Sequence, residues 1–295
     1  MTASQGTDGT DGTDGIEGTE GIDGIDAARL RSRLLAPSGP YAAIDVVSST
    51  GSTNADLRAL AAEGAPDRTV LLAEEQTAGA GRRGRSWASP PGSGVYLSVL
   101  LRPAEVPPAA LGSLAVVAGL ALTDVAAELG VDAVLKWPND MLAGPDGAKC
   151  AGVLAESVSP GESVVVCGIG LNVLPLRDPV SPGPGGQRAT SLADQGARIV
   201  DRTEVAARLL AALHEREEPW RRASGDLAAA GLLDTYRRRC TTLGRKVRLE
   251  VAGGRSRHCL VVDVEPTGAL VVEEESGEKR TVFAADVVHL RPASP

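Results

Sequence analysis

The stretch QTAGAGRRGRSW, residues 76–87, stands between two apolar runs, residues 70–73 and 95–101, that are typical of β-strands. Its glycines allow a tightly folded backbone whose N–H groups can approach an anion. Its arginines present forks of donors that suit carboxylate and phosphate oxygens, and Trp87 adds a face for ring stacking. The spacing matches neither a Walker A loop nor a dinucleotide fingerprint. An anion-binding loop, an RNA-binding Arg/Gly turn and a solvated hairpin loop therefore all stay open.

Length and composition bound the class of protein. The chain has 295 residues, enough for one large domain and a small one, and contains no run of 18 apolar residues. Its N-terminus lacks the basic-then-apolar pattern of a signal peptide. The four cysteines are scattered without the paired spacing of a zinc site or a disulfide framework. We therefore expect a cytoplasmic protein with no membrane contact and no protein-built metal site.

The formal net charge of −8 arises almost entirely at the N-terminus, where residues 1–26 hold seven of the 38 acidic residues and no basic residue. Glycine recurs there at every third position from Gly6 to Gly24, but the proline of a collagen helix is absent. This composition predicts a flexible acidic tail. The rest of the chain is close to neutral, which argues against a general nucleic-acid binder.

Hydrophobic periodicity divides the chain into two parts. Helices are predicted at residues 26–35, 55–63, 111–129, 203–222 and 224–239, and strands at 44–47, 69–75, 94–101, 133–136, 148–156 and 163–173. The Pro- and Gly-rich segment 174–187 is a candidate active-site lid. From residue 243 onward five short β runs, at 246–251, 258–263, 269–274, 280–283 and 287–290, predict a small separate barrel.

Four further motifs interrupt the apolar pattern, three with polar side chains and one with glycines. Residues 52–54, Ser-Thr-Asn, begin a predicted helix, where hydroxyls and free N–H groups can cap the helix and also face a polar ligand. Residues 136–140, Lys-Trp-Pro-Asn-Asp, follow a short strand. Lys149 stands in an otherwise apolar strand and is costly to bury unless a counter-charge meets it. Gly168 and Gly170 in another apolar strand indicate a close approach of backbone or ligand.

Together these motifs resemble those of the biotin–protein ligase family, from residue 44 to the C-terminus. The shared motifs are Ser52-Thr53-Asn54, Gln76 with residues 79–87, residues 136–140, Lys149 with residues 151–154, and residues 168–172. Each motif alone has low specificity, but the five occur in the family's order with similar spacing. One residue departs from the pattern: the family's loop usually reads Gly-Arg-Gly-Arg-x-Gly-Arg, and Ala80 stands where its first arginine is expected.

The resemblance implies both a fold and a division into domains. The implied fold is an α/β (α+β) catalytic domain, with a mixed sheet packed by helices on one side, followed by a small SH3-like β-barrel. We expect a disordered acidic Gly-repeat tail at 1–27, a biotin/lipoate-ligase-like catalytic domain at 28–240 and a C-terminal SH3-like domain at 241–295. Only the tail fills the place of the DNA-binding helix-turn-helix found in some members, so no repressor role and no nucleic-acid partner are expected.

The family's chemistry fits these residue types. ATP activates the biotin carboxylate to biotinoyl-5′-AMP with loss of diphosphate, and a lysine of a biotin carboxyl carrier domain of an acyl-CoA carboxylase then receives biotin. Carboxylate and triphosphate repel each other, and the cations of Arg82, Arg85 and Lys149 can offset that repulsion. The resemblance implies a biotin–[biotin carboxyl-carrier protein] ligase with these three residues catalytic, and with Asp140 helping to deprotonate or orient the lysine amine.

The remaining site residues are likewise implied by the resemblance. Those expected to bind biotin are Ser52, Thr53, Asn54, Gln76, Gly79, Ala80, Gly81, Arg82, Lys149 and Gly152. Those expected to bind the nucleotide are Arg82, Arg85, Trp87, Lys136, Asn139 and Asn172. Mg²⁺ is expected to accompany ATP, held mostly by phosphates and water. The protein is expected to be a monomer or a weak homodimer.

Two other functions compete with this interpretation. A lipoate– or octanoate–protein ligase would share the fold and the adenylate chemistry, although residues 81–85 and 136–140 favour biotin. A non-catalytic ligand-binding module would keep the pocket but would not need Lys149 together with Asp140. A nucleic-acid binder would need more basic surface and more aromatic side chains than the seven in this chain.

Overall fold

The computed structural model describes residues 24–88, 90–176, 180, 182, 186–250, 256–283 and 286–289. Within these residues the chain forms a seven-stranded sheet covered by helices and a five-stranded sheet that follows it. The large sheet has the strand order β1-β2-β3-β7-β6-β5-β4. Its strands are β1 (Ala43–Val47), β2 (Thr69–Ala73), β3 (Gly94–Leu101), β4 (Ala133–Lys136), β5 (Asp140–Ala143), β6 (Ala148–Ser157) and β7 (Val165–Asn172).

The large sheet is mixed, as predicted. Strand β1 pairs with β2 in parallel, and the other neighbours pair antiparallel. Strand β5 was not predicted: it is only four residues long, between the turn at Pro138 and Gly144, which has a positive φ of 73°. Because β5 turns straight back on β4, it brings Asp140 opposite Gly152 of β6.

The helices are α1 (Ala27–Leu34), α2 (Thr53–Ala62), α3 (Leu114–Glu128), α4 (Arg202–Arg222) and α5 (Leu233–Arg239). Helices α1, α3 and α4 share one apolar core with sheet residues such as Leu72 and Val99. Helix α2 packs instead on Leu71 and Leu100, which alternate with those residues along the strands and so face the other way. The expectation of helices on one side is therefore wrong for α2, and the functional site lies beside that helix.

The segment Pro108–Glu128, which contains α3, is long and apolar enough to span a membrane, but 72% of its apolar window is buried inside the protein. Eleven residues of α3 are buried, including Leu120 and Val125, and they pack against α4 and strands β4 to β7. The apolar character of α3 is therefore explained by its place at the centre of the core.

The C-terminal strands form an antiparallel sheet of order β11-β10-β9-β8-β12. They are β8 (Lys246–Glu250), β9 (Ser256–Val264), β10 (Leu270–Glu274), β11 (Lys279–Val282) and β12 (Asp286–His289). This sheet does not stand apart, because its buried residues, such as Val261 and Leu270, join the same core as the helices. Trp137 ties the two sheets: its backbone N–H donates to the Thr242 hydroxyl (3.1 Å) and its indole N–H to the carbonyl of Gly268 (2.9 Å).

Two sequence-based expectations need correction. The disordered tail does not reach residue 27, because Ile25 is buried and Asp26 is the N-cap of α1, accepting from the N–H of Arg29 at 3.0 Å. Residues 1–23 lie outside the described residues. The predicted helix 224–239 begins only at Leu233, because Gly225 and Gly231 adopt positive φ angles of 84° and 72° that interrupt a helix.

Candidate active site

The candidate site is a cavity, open to solvent, on the face of the large sheet that α2 flanks. Two parts of its wall differ in their construction. The α2 wall consists of Ser52, Thr53, Asn54 and Gln76, and the arginine loop consists of residues 79–87. Strands β6 and β7 form the floor between them, and Val287 of the C-terminal sheet also lines the cavity.

The α2 wall is buried and cross-linked by hydrogen bonds. The Thr53 hydroxyl lies 2.7 Å from the hydroxyl of Ser98 in β3, and Ser98 donates to the Asn54 carbonyl oxygen at 2.6 Å. The Asn54 amide donates to the carbonyl of Leu154 (3.1 Å) and to the Glu156 carboxylate (2.8 Å). Strands β3 and β6 and the first turn of α2 therefore hold these side chains in fixed positions.

Gln76 closes the α2 wall from the other side. Its amide oxygen accepts from the backbone N–H of Thr53 at 3.0 Å and lies 3.1 Å from the Thr53 hydroxyl. A parallel bridge joins Thr50 to Gln76, extending the pairing of β1 with β2 beyond the two strands. The start of α2 and the segment that leads from β2 into the arginine loop are therefore held together.

Three glycines in β6 and β7 leave parts of the cavity floor without side chains. A Cβ on Gly170 would lie 2.4 Å from the Trp87 indole, and one on Gly152 would lie 3.1 Å from the same ring. A Cβ on Gly168 would lie 2.1 Å from the Asn54 carbonyl oxygen. These glycines therefore make room for Trp87 and Asn54, as the sequence predicted for a strand closely approached by other groups.

Lys149 and Asp140 form an ion pair in the floor. The Lys149 Nζ lies 2.7 Å from Asp140 Oδ1, and the two side chains are 28% and 19% exposed. The same Nζ lies 5.1 Å from the centre of the Trp87 ring, within the range of a cation–π contact. Asp140 is thus the counter-charge that a lysine in an apolar strand required.

The arginine loop folds back on itself at the rim of the cavity. The N–H of Gly81 donates to the carbonyl of Arg85 (2.7 Å), and the N–H of Trp87 donates to that of Gly79 (2.8 Å). Arg83 has a positive φ of 57° and donates to the carbonyl of Glu250 in β8 (2.7 Å). The loop therefore reaches the C-terminal sheet, while Arg85 stays exposed.

Three of the residues expected near the nucleotide, Lys136, Asn139 and Asn172, line a further part of the cavity rim. Lys136 is 7% exposed, with its Nζ 3.4 Å from the Gln187 amide oxygen. The Asn139 amide donates to the carbonyl of Val153 (2.7 Å), and the Asn172 amide donates to that of Thr190 (2.8 Å). The amide groups of both asparagines thus anchor neighbouring backbone as well as facing the cavity.

A buried thiol lies behind this rim. Cys150 Sγ donates to the Asn172 carbonyl at 3.6 Å, and burial raises the pKa of this thiol to about 12. It therefore stays protonated at neutral pH and is not an activated nucleophile.

The cavity brings together all but one of the residues predicted for the site. Gly79 does not line it, although its carbonyl holds Trp87 in place. Ala80 lines it and bridges to Ser86 where the family's loop carries an arginine. From the predicted lid 174–187, Leu176, Val180 and Gln187 line the cavity, and residues 177–179, 181 and 183–185 lie outside the described residues.

Sequence reasoning missed three residues that complete the site. Ser98 and Glu156 support Asn54, and Val287 reaches the cavity from the C-terminal sheet. A serine inside the apolar strand β3 was a usable signal, because a buried hydroxyl needs a partner. Nothing in the sequence shows that Glu156 meets Asn54, since 102 residues separate them.

Comparison with known families assigns both parts of the chain. Residues 44–173 match the biotin/lipoate A/B protein ligase family, and residues 242–290 match the biotin protein ligase C-terminal domain. The biotin–[acetyl-CoA-carboxylase] ligase of Mycobacterium tuberculosis is 44% identical, over 89% of this chain and 94% of that protein. A protein of the same name from Paracoccus denitrificans is 32% identical, over 82% of this chain and 98% of its own length.

A solved structure shares the architecture. The biotin protein ligase from Aquifex aeolicus, determined in complex with biotin and ATP, matches with a TM-score of 0.69. The match covers 85% of this chain and all of that one, at 27% sequence identity. The similarity therefore includes both the large sheet and the C-terminal sheet.

Proposed function

Because this chain belongs to the biotin/lipoate A/B protein ligase family, we propose that its cavity binds biotin and ATP side by side and joins them. The chain is a biotin–protein ligase: it activates biotin with ATP and transfers it to a carrier protein. The observation that carries the assignment of roles is the Lys149–Asp140 pair, because it puts a cation in the floor between the α2 wall and the arginine loop.

The α2 wall is the proposed seat of the biotin ring. A ureido group has two N–H donors and one carbonyl acceptor, and Ser52, Thr53, Asn54 and Gln76 offer hydroxyl and amide groups to pair with them. Buried polar groups of this kind disfavour an apolar ring, because an unpaired donor or acceptor costs about 1–3 kcal/mol. Gly152 and the backbone of Gly81 leave room for the valerate chain toward Lys149.

Lys149 is the proposed partner of the biotin carboxylate. In the first step a carboxylate oxygen forms a bond to the α-phosphorus of ATP, and the bond to the diphosphate breaks, so that diphosphate leaves with its electron pair. Lys149, Arg82 and Arg85 offset the negative charge that accumulates on the phosphate oxygens. Trp87, Lys136, Asn139 and Asn172 are the proposed contacts of the nucleotide.

Asp140 is the proposed helper in the second step. The ε-amine of the acceptor lysine attacks the carbonyl carbon of the adenylate, AMP leaves with the electrons of the broken bond, and the amine loses a proton. Asp140 lies in the floor beside Lys149 and is the carboxylate among the cavity's lining residues, so it is suited to orient the amine or accept that proton.

The partners follow from the family. Ligases of this family act on the biotin carboxyl carrier domain of acetyl-CoA carboxylase, and we propose such a domain as the acceptor here. Mg²⁺ is proposed to bind through the phosphates of ATP and water. Among the described residues, the one cluster suited to a cation is His214, Glu217 and Glu218 on α4, and these do not line the cavity. We also propose that the protein is cytoplasmic and is a monomer or a weak homodimer. We propose no nucleic-acid partner and no membrane partner.

Diphosphate release tests the choice of acid. Biotin, lipoate and octanoate all present a carboxylate on an apolar chain, so discrimination has to arise at the α2 wall. Sites built on hydrogen bonds reject ligands that lack them by about 10⁴–10⁵. Allowing for imperfect geometry, kcat/KM for biotin should exceed that for lipoate or octanoate at least about a thousandfold. A higher kcat/KM with lipoate would indicate a lipoate–protein ligase. The absence of diphosphate release with any of the three acids would indicate a non-catalytic binding module.

A further inference from the structure

Behind the α2 wall lies a chain of four side chains that ends on a carboxylate. It runs from the Thr53 hydroxyl at the cavity to Ser98 (2.7 Å), Asn54 (2.6 Å) and Glu156 (2.8 Å). Thr53, Ser98 and Asn54 are 3%, 0% and 5% exposed, so solvent does not compete for these contacts. The catalytic steps do not use Glu156, which raises the question of what it does there.

The direction of every bond in this chain can be assigned from its far end. The Asn54 amide faces two oxygens that can only accept, the Leu154 carbonyl and a carboxylate oxygen of Glu156. The NH₂ group must therefore point to them, which turns the carbonyl oxygen of Asn54 toward Ser98. That oxygen carries no proton, so the 2.6 Å contact requires Ser98 to donate.

The same reasoning fixes Thr53. A hydroxyl has one proton, and that of Ser98 is committed to Asn54. The 2.7 Å contact between Thr53 and Ser98 therefore needs the proton of Thr53. Gln76 lies farther away at 3.1 Å and already accepts from the Thr53 backbone, so any share that it takes also keeps this proton within the wall. Toward the cavity, Thr53 can then only accept a hydrogen bond.

We propose that Glu156 is a positioning residue that, through Asn54 and Ser98, fixes the Thr53 hydroxyl as an acceptor and so selects acids whose distal end carries an N–H donor. This inference rests on the proposed function, because it concerns the α2 wall as the seat of that distal end. A cyclic urea supplies such a donor, whereas a dithiolane or an alkyl end leaves the acceptor unpaired.

Two further observations support this role. A charged acceptor holds a donor more firmly than a neutral carbonyl, and the second oxygen of Glu156 lies 3.7 Å from Arg58, which helps to keep the carboxylate in place. Gly168 leaves the space that the chain needs, since a Cβ there would lie 2.1 Å from the Asn54 oxygen. The orientation of Asn54 is therefore set by both charge and shape.

The first test compares three variants in diphosphate release. Glu156→Leu removes the charged acceptor and should raise the KM for biotin about tenfold, comparable to one hydrogen bond to a charged group. The kcat and the KM for ATP should stay within about twofold of the parent values, since no nucleotide contact changes. Glu156→Gln, whose amide oxygen can still accept from Asn54, should restore most of the lost affinity. Glu162→Leu removes an exposed acid in a turn and is the matched control.

The second test is a double-mutant cycle with Ser98→Ala, which removes the nearer of the two acceptors of the Thr53 proton and breaks the chain between Thr53 and Asn54. If the two residues act in one chain, Glu156→Leu should add less than about twofold to the biotin KM of Ser98→Ala. Full additivity would overturn the proposal, as would a Glu156→Leu variant that matches Glu162→Leu or raises both KM values equally. If Ser98→Ala does not fold by circular dichroism, the first test decides. Release by the parent chain with biotin checks the proposed function separately.

Discussion

The α2 wall and the arginine loop face the same cavity, but they are built in opposite ways. Ser52, Thr53 and Asn54 are each less than 9% exposed, and the side chains of Thr53 and Asn54 are bonded to strands β3 and β6. The arginine loop is folded by backbone bonds within itself and by the bond from the Arg83 side chain to the Glu250 carbonyl, with Arg83 in a left-handed conformation and Arg85 exposed. One side of the cavity is therefore buried and cross-linked, whereas the other is exposed to solvent, and we expect the exposed side to adjust more when a ligand binds.

This contrast indicates a division of labour. A preformed wall can reject a wrong ring because its groups cannot rearrange to suit it. A loop with exposed arginines can close over phosphates once they are bound. Its open conformation lowers the stability of the fold only slightly, because few buried contacts depend on the loop. The predictions below test whether the two sides differ in this way.

The largest expected effect lies between the two sides, at Lys149. Lys149→Ala leaves Asp140 and the biotin carboxylate without a cation, and loss of one such preorganised group typically slows a reaction by about 10²–10³. Diphosphate release should fall by that factor, and circular dichroism checks that the variant is folded. Lys279→Ala, an exposed lysine on β11, is the control. A folded Lys149→Ala variant that releases diphosphate at the parent rate would contradict the catalytic role proposed for Lys149.

The next prediction compares two glycines on one face of β7. Gly168→Ala pushes a Cβ against the Asn54 oxygen of the buried wall, whereas Gly170→Ala pushes one against Trp87 of the loop. The wall cannot move, so Gly168→Ala should lower the free energy of unfolding by about 2–3 kcal/mol, within the range for overpacking. Gly170→Ala should cost less than about 1 kcal/mol, because the loop can shift. Urea unfolding measures both, and equal losses would contradict the contrast.

A smaller effect is expected in proteolysis of the arginine loop. Trypsin should cut after Arg82, Arg83 or Arg85 in the ligand-free protein, and biotin with ATP should slow this cleavage about tenfold as the loop closes. Cleavage after Arg245, an exposed residue before β8, serves as the internal control because it lies outside the cavity lining. The same cleavage rate with and without ligands would mean that the loop does not close.

The smallest effect concerns the start of the fold, which touches the α2 side. The N–H of Ile25 donates to Glu74, two residues before Gln76, and Asp26 caps α1. A chain that begins at Gly24 should keep the parent stability. A chain that begins at Ala27 should lose about 1–2 kcal/mol through the missing cap and the unburied Ile25. Thermal unfolding distinguishes the two, and equal stability would show that residues 24–26 contribute nothing.

Sequence reasoning performed well where local chemistry decides the outcome. The resemblance to the ligase family implied the mixed sheet, the five short β runs predicted the C-terminal β domain, and a lysine in an apolar strand correctly required a counter-charge such as Asp140. It failed where long-range packing or a backbone angle decides. Helix α2 lies opposite the other helices, and Gly225 prevents the helix predicted from residue 224.

The candidate site shows the same limit. Motifs pointed to Thr53, Asn54 and Lys149, because their residue types and spacing are unusual for the elements that hold them. The partners that orient them, Ser98 and Glu156, lie 44 and 102 residues from Asn54. Only the register of β3, β6 and β7 brings such residues together, and that register depends on the whole sheet.

The position of Trp87 also makes its intrinsic fluorescence suitable for detecting ligand binding. The chain has three tryptophans. Trp220 is buried in the core and Trp137, which also lines the cavity, is 2% exposed; their indole N–H groups already donate to Ser113 and Gly268. The indole N–H of Trp87 has no hydrogen-bond partner among the described residues, and its ring lies over the glycine floor, 5.1 Å from the Lys149 ammonium. We expect ligand entry to change the surroundings of that ring, so that intrinsic fluorescence reports binding in the cavity without an added label.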